Sequence, residues 1–139
     1  MPVKHIRVGI VSIGFSLAII GTMSLKATPA ADETYSIEEI MEYNHSGKKA
    51  LTNKVTLAVQ AGKWDEALPA AKKMKLLGAA LGKNPCPSGD ASSWEKLTMR
   101  YAEHTAAIAA AVEKKDAKLA TAAIATLKQS CKTCHDAHR

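Results

Sequence analysis

Three side chains near one end of this 139-residue sequence have the types and spacing for covalent cofactor chemistry: Cys131, Cys134 and His135, in the run Cys131-Lys132-Thr133-Cys134-His135. Two cysteines three apart lie on one side of a helix. There they can span one edge of a porphyrin and add to its two vinyl groups. The histidine that follows can then present its imidazole to the iron from one haem face, as the proximal ligand. Other chemistries use parts of the same pattern. A redox dithiol would be expected beside a βαβ unit, and no stretch of the sequence reads as one. A zinc site needs four ligands, for which Cys86, His104 or His138 would have to be recruited, and no second closely spaced pair exists. A Cys131–Cys134 disulfide is a further alternative.

The opposite axial position decides what such a haem does. A second protein ligand keeps the iron saturated in both oxidation states and suits electron transfer, whereas an open position admits a small gas. The candidate ligands are Met41, His45, Met74, Met99 and His104. Met41 is favoured by position. It lies one turn into the first helix, on its apolar side, and His135 lies near the end of the last helix. In an antiparallel bundle these two places fall at the same end. His45 is one turn further along the same side. Met41 as a packing residue is the competing account. Arg139, one turn beyond His135, is placed to pair with a haem propionate.

The elements that must position these residues are helical throughout. Ser36-Ile37-Glu38-Glu39 has the pattern of a capping box, and Ile37, Met41, Asn44, Lys48, Leu51, Val55 and Ala58 repeat at helical spacing. One helix is expected from Ser36 to about Ala61, stopped by Gly62. A second opens at Lys63-Trp64-Asp65-Glu66, with Pro69 near its start and a basic cluster of Lys72, Lys73 and Lys75. That cluster reads as a solvated face or a docking patch for an acidic redox partner. Residues 82–91, rich in proline and glycine, form the one substantial loop. A third helix is expected with Ser92 as cap, its inner side carrying Trp94, Leu97, Tyr101, His104 and Ile108. A fourth, capped by Asp116 and rich in alanine, runs into the cysteine motif. Short connections between four amphipathic helices imply an all-α, antiparallel up-down-up-down four-helix bundle, with the cofactor among facing helices. Tyr101 and Trp94 are candidate walls for it.

Residues 1–30 read as a signal peptide: Lys4 and Arg7 supply a positive start, Val8 to Leu25 is apolar or small, and small residues follow. The cytochrome-like domain then spans 34–139. With Lys4, Arg7 and Lys26 removed, 16 basic residues remain against 13 acidic ones, a balance of +3. That is no concentrated basic face, which argues against a nucleic-acid partner. No further segment could cross a membrane, so stable insertion after cleavage is not expected. Cys86, in the loop, is left over, either as a free and oxidisable thiol or for pairing with another subunit.

The last helix, from Gln129 to Arg139, resembles the C-terminal signature of the class II c-type cytochromes, the cytochrome c-prime family. The resemblance is specific there and general over the rest of the domain. It implies a four-helix bundle, a periplasmic location, one covalent haem c with its iron, redox protein partners and frequent homodimers. It implies thioethers at Cys131 and Cys134, His135 as proximal ligand and a basic role for Arg139. Ile40-Met41-Glu42 is similar to the branch that places a methionine of the first helix on the iron, which makes Met41 the distal ligand. The expected function is a non-enzymatic, single-electron carrier. The alternatives are a gas-binding haem protein with an open distal site, for NO or CO, and a helical structural protein without haem. His138 stands where the family usually has an aromatic such as tyrosine, and Cys86 and the polar pair Asn44-His45 are further departures.

Overall fold

The computed structural model describes residues 34–139, so the expected signal peptide lies outside the described residues. Five helices and no strand are found among them: α1 (Ile37–His45), α2 (Leu51–Gln60), α3 (Trp64–Leu81), α4 (Ala91–Glu113) and α5 (Ala117–His138). α2 packs on α3, α3 on α4, α4 on α5, and α5 returns to α2. Successive contacts fix the directions. Gly78 of α3 sits against Thr105 of α4, while Gly82, further along the chain, sits against the earlier Thr98, and Trp94, early in α4, packs on His138 at the end of α5. This is an antiparallel bundle, with α1 and α2 sharing the first position.

The expected single helix from Ser36 to Ala61 is in fact two. The capping box forms: Ser36 Oγ accepts from the Glu39 N–H, and Glu39 accepts from the Ser36 N–H at 2.8 Å. The helix then stops at His45, and Gly47 turns the chain at φ +70° before α2 begins. The break, residues 46–50, directly follows the polar pair Asn44-His45. Its consequence is that α2, and not α1, packs along α5, while α1 lies against α2 and α3.

Two other expectations shift in detail. The cap of α4 is Asp90, whose carboxylate accepts from the Ser93 N–H at 2.7 Å, so Ser92 lies inside the helix. Pro69 is the sixth residue of α3, and the helix runs on through it to Leu81. Asp116 caps α5 as expected, accepting from the Leu119 N–H at 2.9 Å. The core is aliphatic, with Ile40, Val55, Met74, Leu77, Ile108 and Leu127 fully buried. Lys73 of the basic cluster is not simply solvated: its ammonium lies over the Tyr35 ring, 4.4 Å from the centroid.

The loop between α3 and α4 is tied to its surroundings. Asn84 donates to the Tyr35 carbonyl and receives the Trp94 indole N–H on its own carbonyl, each at 3.0 Å. His138 seats the end of α5 on this loop. It is 5 % exposed, its Nδ1 is 2.7 Å from the Ser88 carbonyl, its Nε2 is 3.2 Å from Ser93 Oγ, and the Trp94 ring lies edge-on. A carbonyl can only accept, so Nδ1 carries a proton.

Candidate functional site

One cavity of about 620 Å³ collects the motif residues. Cys131, Cys134 and His135 line it from α5 and Arg139 from just past its end, Met41 and His45 from α1, and Tyr101 and His104 from α4. Its volume is within the roughly 300–1,000 Å³ of ordinary cofactor clefts. The helical period explains the set on α5. Cys131 and Cys134 are half-buried on one side, while Lys132 and Thr133 between them are exposed. Lys132 reaches along the outside to Asp136 at 2.6 Å. His135 and Arg139 are exposed and stand at the cavity's rim.

The thiols are free of disulfides, and Cys131 Sγ–H donates to the Leu127 carbonyl at 3.4 Å. Burial raises both thiols above the ordinary range, and for Cys134 the neighbouring Cys131 adds to the effect. A catalytic dithiol has the opposite perturbation, a lowered thiol that is thiolate near neutral pH. Among the described residues no three His, Cys, Asp or Glu side chains come together to hold a metal ion, so the zinc alternative finds no ligand set. Two adjacent, unpaired thiols facing a cleft of cofactor size, with an imidazole beside them, fit a haem held by thioethers.

The remaining candidates separate cleanly. Met41 is half-buried in the cavity wall. Met74 is fully buried in the core and Met99 is 58 % exposed, and neither lines the cavity. His104, expected on the inner side of the third helix, is half-buried in the cavity wall. Tyr101 walls the cavity as anticipated, but Trp94 does not and packs against His138.

A polar circuit beside Met41 was not legible in the sequence. Asn44 Nδ2 donates to the Tyr101 hydroxyl at 2.7 Å, and that hydroxyl lies 2.9 Å from His45 Nε2. His45 Nδ1 is 3.3 Å from Thr52 Oγ1, which donates to the Asn44 carbonyl at 2.5 Å. The directions follow from the donor inventory. Thr52 spends its only proton on a carbonyl, so His45 Nδ1 must donate to it. Tyr101 accepts from Asn44 and passes its own proton toward His45 Nε2. Burial, then the charges of His135 and Lys128, hold His45 below the ordinary imidazole range and keep it neutral. Burial likewise raises the Tyr101 phenol, so it stays protonated as a donor. Asn44 Oδ1 is the buried side-chain oxygen left without a partner among the described residues. Thr52 joins only because the chain doubles back at Gly47, which helical spacing could not show.

Among comparisons with known proteins, residues 89–139 match the family model described as Cytochrome C'. No curated protein and no solved structure matches the chain. The matched stretch is α4 with its preceding turn and α5, the part that carries the paired cysteines and the histidine. In this stretch, which bears the cleft's cysteine–histidine side, the chain is similar to the class II c-type cytochromes, a family whose cofactor is a covalently attached haem c with its iron.

Proposed function

We propose that this chain is an exported, periplasmic monohaem cytochrome that carries single electrons between redox partners, with Cys131 and Cys134 as the thioether positions, His135 as the proximal iron ligand and Met41 as the distal one. The observation that carries the proposal is the convergence of Met41 on α1 with the cysteine–histidine motif on α5 at one cleft. The haem supplies one-electron exchange between ferric and ferrous iron. The chain's own residues bind and tune it. Cys131 and Cys134 would hold it through thioethers on α5, and His135 and the Met41 thioether, a soft neutral donor that favours the ferrous state, would bind its iron. Tyr101 and Leu81 line the interior side of the cleft and exclude water, and Arg139 at the rim is placed to neutralise a propionate. No bond of a substrate is made or broken, so the protein is not an enzyme. The leader at 1–30 accounts for export, and no described helix is long and apolar enough to cross a membrane.

The test is spectroscopic. After expression with the haem-attachment machinery, the ferric protein is expected to be low-spin with the weak long-wavelength band of a methionine–iron bond, and Met41→Ala to lose that band. A wild type that is high-spin and binds carbon monoxide at once when reduced would overturn Met41 ligation and favour gas binding. A colourless protein with the mass of the bare polypeptide would overturn the haem assignment itself.

A further inference from the structure

His45 is the second potential iron ligand on α1, one turn from Met41 and lining the same cavity as His135. An imidazole is a stronger donor to ferric iron than a thioether. Its presence beside a methionine ligand therefore needs a reason that it does not displace it. The structure holds that reason in the polar circuit. Both ring nitrogens of His45 are engaged, Nε2 by the Tyr101 hydroxyl at 2.9 Å and Nδ1 by Thr52 at 3.3 Å. The nitrogen without a proton is Nε2, the one able to bind a metal, and it is the one Tyr101 occupies. Tyr101 is itself fixed. It is 7 % exposed, receives the Asn44 amide at 2.7 Å, and lies edge-on to the His45 ring with centroids 5.9 Å apart.

We propose that Tyr101 is a positioning residue that withholds His45 from the iron, so that the Asn44–Tyr101–His45–Thr52 circuit sets which side chain of α1 is the distal ligand. The proposal deepens the haem-site reading above and rests on it. Once Tyr101 no longer donates to Nε2, His45 is held only by its longer Nδ1–H bond to Thr52. The ring, still on α1 and still at the cavity, can exchange that bond for one from its lone pair to the iron.

The experiment uses the matured, haem-loaded protein and compares Met41→Ala, Met41→Ala/Tyr101→Phe, and the triple variant adding His45→Ala. With the circuit intact, Met41→Ala is expected to be high-spin in the ferric state and to bind carbon monoxide readily when reduced. Adding Tyr101→Phe is expected to convert it to a low-spin, bis-imidazole haem without the methionine band and to slow carbon monoxide binding at least tenfold. The triple variant is expected to revert to high-spin. A purely structural role for Tyr101 would loosen the fold without creating a new axial ligand. Two results would overturn the proposal: a Met41→Ala protein already low-spin through His45, or a double variant as high-spin as Met41→Ala. Failure of the underlying assignment is distinguishable, because it is read in the wild type. If that proves high-spin, Met41 is not a ligand, and Tyr101→Phe alone then tests the latch by the same conversion to low spin. If Tyr101→Phe disturbs folding, Asn44→Leu, which frees the phenol to turn away, reads the same switch.

Discussion

Replacing Gly89 with alanine isolates how firmly the end of α5 is held. Gly89 has φ +80°, and a Cβ built there would stand 2.5 Å from the Ala137 carbonyl oxygen and 3.3 Å from His138 Nδ1. Two costs are therefore separable. The left-handed backbone costs an alanine about 1–2 kcal/mol, offset in part by about 0.4–1 kcal/mol from the stiffer unfolded chain. The approach to a backbone oxygen, which has no rotamer to escape into, adds roughly 1–3 kcal/mol of overpacking. Gly47 supplies the control, since it has φ +70° and nothing within 4 Å of its Cβ position. Gly47→Ala should lose about 1 kcal/mol and Gly89→Ala about 2–4 kcal/mol. Denaturant unfolding followed by circular dichroism measures both. The second variant should also show faster alkylation of Cys86, which lies 3.6 Å from His138 Nδ1. Equal losses within about 0.5 kcal/mol, the usual scatter of a neutral site, would refute the claim that loop and helix end are in hard contact.

Other consequences are as direct. His138→Ala removes a buried ring and its hydrogen bonds to Ser88 and Ser93, and should cost about 2–4 kcal/mol in the same assay; a loss under about 0.5 kcal/mol would mean the helix end is held by something else. In the matured, denatured protein one thiol, Cys86, should remain for a maleimide label, and a count of three would exclude thioether attachment at Cys131 and Cys134. Stability should also fall on mild acidification. The folded protein holds His45 below the ordinary imidazole value, whereas the unfolded chain takes up its proton near pH ~6.5. The contribution is thus complete above that pH and lost as pH falls from there through the folded-state value. The slope is at most ~1.4 kcal/mol per pH unit, lessened by the ring's partial exposure. Urea midpoints between pH 7.5 and 5 should show the decline and His45→Gln should flatten it; an unchanged slope in that variant would assign the decline elsewhere.

The cysteine motif, the all-α character of the bundle and the placement of Met41 at the same cleft were legible because each rests on spacing along one helix. Ser36 and Asp116 announced their caps in the same local way. What escaped was what depends on the chain's reversal at Gly47. A stripe running through Asn44, Lys48 and Leu51 keeps helical phase, so periodicity continued across a break that only the glycine's left-handed backbone reveals. With the break unread, Thr52 could not be brought back to His45, and Tyr101 read as a wall of the cofactor pocket rather than a hydrogen-bond donor. His138 was noticed only as an unusual residue. Its role depends on a loop fifty positions earlier in the chain, which no pattern within the last helix encodes.

The half-buried posture of Cys131 and Cys134, turned toward the cleft that α1, α4 and α5 line, bears on how the molecule is made. A ligase joining a porphyrin to these sulfurs would need access to both, and each is half-covered once the helices have packed. Attachment ahead of final packing is the order this posture favours. The pigment would then serve as a template around which the remaining helices gather, so that assembly and colour would arrive together.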